Sequence, residues 1–390
     1  MPESTNVKVA VRCRPLSNKE KGLGCKPIIS VGEPGSGVMT LSVPENKREH
    51  SIAPAPYTFD FTYGEGSSQE TVYRDVGAPL VERAFAGNNC TLFAYGQTGS
   101  GKTHSMMGAD TGAAAFADDS EVAGVIPRLT TDLFGRLDAL MAGGNSATIQ
   151  VTVTYLEIYN ENIHDLLNPK KGLKSLKMRQ HPTDGVYVEG LCELVVRTRE
   201  DVGRLVAQGN GVRRVAATQM NETSSRSHSV LAIRVEQKHT VTEGSVQRQT
   251  TLSSKVNLVD LAGSERAEKT GAEGDTLKEG IEINKSLMAL GMVIKSLSEG
   301  KFPTYRASTL TFLLKDSLGG NAATSMLAAI SPADYNYDET HSTLQYAQRA
   351  KTITNKVVKN EDVNQRVVRE LKEEIDRLRA QLAGGGGGGR

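Results

Sequence analysis

The sequence predicts an α/β fold, a central mixed β-sheet flanked by helices on both faces, and three observations carry that expectation. Short runs rich in β-branched and aromatic residues alternate with segments of helical composition. One run, Thr91-Leu92-Phe93-Ala94-Tyr95, passes directly into a glycine-rich loop and then into a helix start at Lys102. Another, Lys255-Val256-Asn257-Leu258-Val259-Asp260, is apolar enough for a strand covered on both faces and ends in a carboxylate.

In chain order, Val7 to Val11 reads as a strand stopped by Arg12-Cys13-Arg14-Pro15, and Val72 to Phe85 reads as one helix. Ala147 to Tyr159 is a β-branched and aromatic run, Asp201 to Gly209 is helical, and Val230 to Glu236 alternates as a strand does. These segments form one domain over residues 1–350. Composition changes after Ala350: residues 351–364 have no helical apolar face and read as an extended linker. In 365–383, Val368, Leu371, Ile375, Leu378 and Leu382 recur at three-four spacing. That is two heptads, consistent with a weak homodimer through a short coiled coil or with an amphipathic helix packed back on the domain. The glycine run within 384–390 reads as a flexible tail or a cloning scar.

Bulk properties narrow the function classes. The 390 residues are 38% hydrophobic and 23% charged, enough apolar matter for a large core and too little charge for general disorder. A net charge of +1 argues against a surface-wide cationic field for nucleic acid, so an acidic partner must meet a local patch. Cys13, Cys25, Cys90 and Cys192 form no CxxC pair, and neither a secretory leader nor a membrane-spanning apolar run is present. A reduced cytoplasmic setting without membrane contact is expected. The seven scattered histidines argue against a metal site beyond nucleotide-bound Mg2+.

Gly96-Gln97-Thr98-Gly99-Ser100-Gly101-Lys102-Thr103 fills the GxxxxGK[ST] pattern in the strand-to-helix setting it requires, which makes the fold that of a P-loop nucleoside triphosphatase. The glycines let successive amides turn inwards on phosphates, Lys102 reaches the β and γ oxygens, and Thr103 offers a hydroxyl to magnesium. In Asp260-Leu261-Ala262-Gly263-Ser264-Glu265, Asp260 can hold magnesium through water, and Gly263 leaves its amide free for a γ-phosphate. Asn221-Glu222-Thr223-Ser224-Ser225-Arg226-Ser227-His228 is dense in small hydroxyls and reads either as a ligand cluster for magnesium, phosphate and water or as a polar turn.

Gly96 to Thr103, Asn221 to His228 and Asp260 to Glu265 resemble, respectively, the P-loop, switch I and switch II of kinesins. Further matches are Tyr155-Leu156-Glu157-Ile158-Tyr159-Asn160-Glu161, Gly280 to Leu290 with its Asn284-Lys285-Ser286-Leu287, and Leu318-Gly319-Gly320-Asn321, so the resemblance runs from about Val7 to about Asn360. It implies the kinesin motor fold and microtubule-stimulated hydrolysis of ATP with Mg2+, in the cytoplasm on the microtubule cytoskeleton. Asn360-Glu361-Asp362, Arg369-Glu370-Leu371-Lys372-Glu373-Glu374 and Ser331-Pro332-Ala333-Asp334 look most like the kinesin-three class of cargo transporters, although that class's lysine-rich tubulin-tethering loop is missing.

The resemblance also implies roles. Arg12, Arg14 and Pro15 would flank the base, with His104 on another side, a setting in which guanidinium stacking on a purine is physically sound. Asn221 and Ser224 would contact phosphate or its water network, and Ser225 would complete the magnesium shell. Arg226 and Glu265 would form a salt bridge that latches the switches together. Arg266, Lys269, Lys278 and Arg306 would meet the acidic surface of tubulin. This chain departs from the family in that region: Tyr305-Arg306-Ala307-Ser308-Thr309-Leu310 lacks the usual Asp after the arginine, Glu282 stands where a neutral or basic residue is common, and Ser298 to Thr304 carries only Lys301. Residues 351–364 would be the neck linker, with Ile353 entering a pocket and Asn360 latching the docked segment, an arrangement that implies plus-end direction. A nucleic-acid-dependent ATPase is disfavoured by 5% aromatics and no tryptophan. A non-hydrolysing scaffold is disfavoured by the intact Lys102, Thr103, Arg226, Asp260 and Glu265.

Overall fold

A computed structural model describes residues 2–33, 35–47, 55–116, 120–142, 148–168, 175–181, 185–219, 224–243, 246–265 and 275–361, without the side chains of 215–219, 224, 240–243, 246–249 and 275–283. Asn221, Arg266, Lys269 and the heptad segment 365–383 with the glycine tail lie outside the described residues, as do the side chains of Ser224 and Lys278.

The strands in chain order are β1 Glu3–Asn6, β2 Lys8–Cys13, β3 Ile29–Val31, β4 Val38–Leu41, β5 Tyr57–Thr58, β6 Phe61–Tyr63, β7 Cys90–Tyr95, β8 Thr148–Tyr159, β9 Asn162–Asp165, β10 Lys177–His181, β11 Gly185–Glu189, β12 Leu194–Val196, β13 His228–Glu243, β14 Val246–Asp260, β15 Ala323–Ile330 and β16 Thr354–Val357. The helices are α1 Asn18–Gly22, α2 Gln69–Val76, α3 Ala78–Phe85, α4 Lys102–Met106, α5 Val125–Ala142, α6 Arg199–Gln219, α7 Asp275–Ser298, α8 Thr309–Leu313 and α9 Tyr337–Ala350.

Among the described residues the main sheet runs β12-β8-β13-β14-β7-β15-β2-β6, with β9 on β8. It is mixed: β8, β13 and β14 are antiparallel, whereas β14, β7, β15, β2 and β6 are parallel. Strand alternation sorts the core into two layers. Leu92, Ala94, Leu258 and Leu327 face α3, α5 and α6 with Leu80, Leu129 and Val206, while Phe93, Val259, Met326 and Ile330 face α7, α8 and α9 with Leu290, Leu310 and Leu344. Every residue of β7 is buried, which is what a parallel strand covered on both faces requires.

Three boundaries differ from the sequence expectation. Residues 72–85 are not one helix: α2 ends and α3 begins at Gly77, with proline in the first turn of α3, because Pro79 has no amide to continue a helix and restricts the residue before it. The helix expected at 201–209 continues to Gln219 through two glycines. A side chain at Gly209 would stand 2.4 Å from the Tyr155 ring, so its absence lets α6 lie close on β8. Finally, residues 354–357 of the expected linker are a strand, β16, antiparallel to β1 with Glu3 opposite Val357.

Candidate functional site

The nucleotide loop hangs from the C-terminal end of β7. Gly96 has φ 147°, and a Cβ there would lie 2.1 Å from the Ala329 carbonyl of the neighbouring strand β15, so only glycine can start the turn. Lys102 is buried and donates to the Gly96 and Gln97 carbonyls at 2.8 and 3.0 Å, which holds its ammonium across the mouth of the loop. Burial lowers its pKa, opposed by Asp260 and Glu265. Thr103 Oγ1 donates to Asp260 Oδ2 at 2.5 Å, while the buried Asp260 Oδ1 has no partner among the described residues. A hydroxyl beside a carboxylate with one uncommitted oxygen is a hard-oxygen set that suits Mg2+. Ser100 Oγ, inside the loop, is likewise buried without a partner among the described residues.

The two candidate switches meet this loop. Ser264 donates its amide to the Gly96 carbonyl at 3.1 Å, and Gly263 donates to the Ser225 carbonyl at 2.8 Å. The Gly263 amide is therefore engaged and not free, since a buried amide is rarely left without an acceptor. A Cβ at Gly263 would fall 2.2 Å from Thr98 Oγ1 and 2.4 Å from Glu265 Oε2, so this residue is bare because two side chains cross over it. They bond each other: the Thr98 amide donates to Glu265 Oε2 at 2.7 Å, and the Thr98 hydroxyl donates to Oε1. The Arg226–Glu265 pair implied by the family resemblance is not among the ion pairs of the described residues; in this conformation the carboxylate is turned to the P-loop, whose amide and hydroxyl satisfy both of its oxygens.

Behind the candidate switches lie groups to which the sequence assigned no individual role. Arg213 on α6 pairs with Glu157 at 2.8 Å and donates to the Ser227 carbonyl at 2.9 Å, and the Ser227 hydroxyl bonds Glu157. His228 accepts the Ala262 amide at Nδ1, 3.0 Å, and meets Ser286 on α7 through Nε2, 2.8 Å. Complete burial, with Arg213 and Lys102 nearby, pushes its pKa down to about 3, so it is a neutral relay that ties both switches to α7. Thr103, Asp260, Tyr155, Glu157, Arg213 and Ser229 border a cavity of about 220 Å³ behind the P-loop.

On the side expected to flank the base, Arg14 donates to the Gly99 carbonyl at 2.6 Å and clamps Glu20 bidentately at 2.6 and 2.7 Å. The clamp holds the Glu20 carboxyl down at about 2. With an unfolded value of about 4.3, its stabilisation is complete above about pH 4.5 and is lost as pH falls through about 2. Arg12 donates to Gln69 at 2.7 Å and Ser105 at 3.0 Å, and His104 contacts the same Gln69. Pro15 follows Arg14 and accepts its guanidinium at the main-chain carbonyl, 2.8 Å.

The opposite end of the strands holds residues 353–360. Ile353 is buried, and its carbonyl accepts the Val7 amide at 2.9 Å. Asn360 donates to Asn89 Oδ1 and the Ser253 carbonyl at 2.9 and 3.0 Å, and its Oδ1 accepts from Asn321 at 3.1 Å. Asn355, which the sequence did not single out, is fully buried: it donates to the Ser317 and Ala322 carbonyls at 2.9 and 2.7 Å and accepts the Gly319 amide at 2.7 Å. Arg306 is exposed on the helical side, its guanidinium 4.4 Å above the Phe312 ring.

The kinesin motor domain family model matches residues 12–353. The chain belongs to the kinesin motor-domain family. It is 46% identical to the kinesin-like protein KIF13A of Homo sapiens over 97% of this chain and 21% of that protein. It is 45% identical to KIF1A of Rattus norvegicus (97% and 22%) and to unc-104 of Caenorhabditis elegans (96% and 24%). These relatives are of the kinesin-three class, and the chain spans less than a quarter of their length. A solved structure described as KIF14 residues 391–772, a dimer in a two-heads-bound state with AMP-PNP on a microtubule, superposes with TM-score 0.82 at 41% identity, covering 95% of this chain and all of that one. A fast kinesin gives TM-score 0.80 at 40% identity, covering 92% and 94%. As a kinesin motor domain this segment is a microtubule-stimulated ATPase.

Proposed function

We propose that this domain converts hydrolysis of Mg-ATP into movement along microtubules, plus-end directed and in the service of cargo transport in the cytoplasm, with residues 351–364 as its neck linker. The observation that carries the reading is a continuous path of bonds. The γ-phosphate end of the site, Thr103 and Asp260, adjoins Gly263 and Ser225, and the switches reach α7 through His228 and Ser286.

Magnesium, when bound, would neutralise phosphate charge, held by Thr103, Ser225 and, through water, Asp260. The chain's own residues do the rest. Lys102 and the P-loop amides orient the triphosphate, and Asn221 and Ser224 contact phosphate or its water network for in-line attack, chemistry that needs placement and electrostatics more than a dedicated base. Closing the latch is an exchange of partners: Glu265 leaves Thr98 for Arg226, and the Gly263 amide leaves Ser225 for the γ-phosphate. Loss of phosphate reverses both exchanges and lets α7 shift. Arg266, Lys269, Lys278 and Arg306 provide the local basic face for tubulin, whose grip weakens with salt because exposed charge pairs are screened.

Gliding of polarity-marked microtubules over surface-bound protein tests activity and direction together. Movement with the minus end leading is expected of a plus-end motor; absence of movement despite stimulated turnover would refute coupling, and reversed movement the linker role.

A further inference from the structure

Glu20 lies in α1, outside every segment the sequence singled out, yet it is only 6% exposed. Burying a carboxylate is costly unless its oxygens are fully met, and here they are. Oε1 accepts from Arg14 Nη2 at 2.7 Å, Ser331 Oγ at 3.0 Å and Asn336 Nδ2 at 3.0 Å. Oε2 accepts from Arg14 Nη1 at 2.6 Å and from the Ser17 amide at 2.7 Å. Arg14 follows β2, Ser331 follows β15 and Asn336 precedes α9, so one side chain gathers three element ends. On one side Arg14 continues to the Gly99 carbonyl of the P-loop at 2.6 Å. A peptide is planar, so gripping that carbonyl also sets the direction of the Ser100 amide. On the other side, Asn336 stands at the N-cap position of α9, where an asparagine side chain usually accepts from amides of the first turn. Its backbone, with φ −99° and ψ 19°, lies outside the extended region that capping uses, and its side chain makes no cap bond. The amide donates instead to Glu20 and, at 3.0 Å, to Ser331 Oγ. A carboxylate only accepts, so the nitrogen of Asn336 must be the atom that faces Glu20.

We propose that Glu20 is a positioning residue that ties the P-loop to the start of α9, so that occupancy of the loop reaches residues 353–361 along α9 as well as through α7. This rests on the reading of 351–364 as a segment that responds to nucleotide. Tyr337–Ala350 is a single helix of 14 residues, roughly 20 Å long. Its face with Thr340, Thr343, Leu344 and Ala347 is buried, and Thr340 Oγ1 donates to the Ser331 carbonyl at 2.9 Å, so the helix and the end of β15 move together. Just beyond its C-terminal end, Ile353 is buried and bonded to Val7. Phosphates that take up the loop amides fix the loop. A displacement at Gly99 is then passed through Arg14 and Glu20 to Asn336, and the bidentate charged pair makes that joint stiff.

Hydrogen exchange of the whole chain on microtubules, read by mass spectrometry, compares ADP with AMP-PNP. In the unsubstituted protein, residues 351–361 should exchange about tenfold more slowly with AMP-PNP. Equal rates in the two states would remove the nucleotide response, and with it both the linker reading and this proposal. Asn336→Ala leaves the Arg14–Glu20 clamp in place; it should cut the difference to about twofold or less, with ATP turnover in the absence of microtubules changed less than about twofold. Glu20→Gln keeps the shape but loses the charge, and should cut the difference likewise while raising KM for ATP about tenfold at nearly unchanged kcat. The amides of α9 should stay protected in both variants. If both variants keep the full difference, the link carries no signal and the proposal is wrong, while the linker reading stands. If α9 loses protection with either nucleotide, Glu20 and Asn336 merely hold the helix in place, and the proposal is equally overturned.

Discussion

Strands β14, β7 and β15 run side by side and parallel, and their two ends carry different chemistry. At the C-terminal end stand Gly96, Lys102, Asp260 and Gly263, a cradle of backbone amides with one buried ammonium and one carboxylate. At the N-terminal end, Asn89, Asn321, Asn355 and Asn360 join 353–360 to the sheet, and all are neutral. An anionic ligand that comes and goes needs charge and preorganised donors. A peptide segment needs an equal supply of donors and acceptors, which a side-chain amide provides from one group. The contrast teaches that one sheet can present opposite binding surfaces without any change in strand direction: the chemical end is ionic, and the end proposed to be mechanical is amide-paired.

If the two ends are separable in this way, substitutions at each should affect different measurements. Lys102→Ala removes the only buried cation described in the loop, and microtubule-stimulated phosphate release should fall by about a thousandfold, with circular dichroism unchanged. Arg226→Ala should lower stimulated turnover by about a hundredfold while equilibrium ATP binding is retained; near-normal turnover would contradict the proposed latch. At the other end, Asn360→Ala strands Asn89, Asn321 and the Ser253 carbonyl, a cost of about 1–3 kcal/mol. Gliding velocity should drop about tenfold while turnover in solution changes less than about twofold, and a matching loss of turnover would break the comparison. The smallest effect belongs to Thr354→Ala: its exposed hydroxyl donates to Asn6 at 2.9 Å, and the gliding assay should register less than about a twofold change.

His228 connects the chemical end to α7. Its neutral imidazole joins Ala262 of switch II to Ser286 of α7, a link that a serine-rich motif does not announce. The sequence marked that motif for its hydroxyls, yet part of its structural weight falls on Ser227 and His228, both buried, with Arg213 reaching in from α6. Arg213 was invisible because its partner Glu157 stands 56 residues away on β8.

By itself the sequence determined the nucleotide loop, the resemblance of three segments to those of one family and the alternating strands of a mixed sheet. Phosphate recognition uses consecutive amides, so its residues must be contiguous and can be read as a string. Only the tertiary structure decided that Gln69 bonds both Arg12 and His104, that Glu265 rests on Thr98 in this conformation, that α6 passes through Gly209, and that Asn355 and Asn89 complete the clamp on 353–360. Each of these depends on hydrogen-bond partners or close contacts between residues far apart in the chain, and composition or periodicity carries no trace of which distant donor will meet which acceptor.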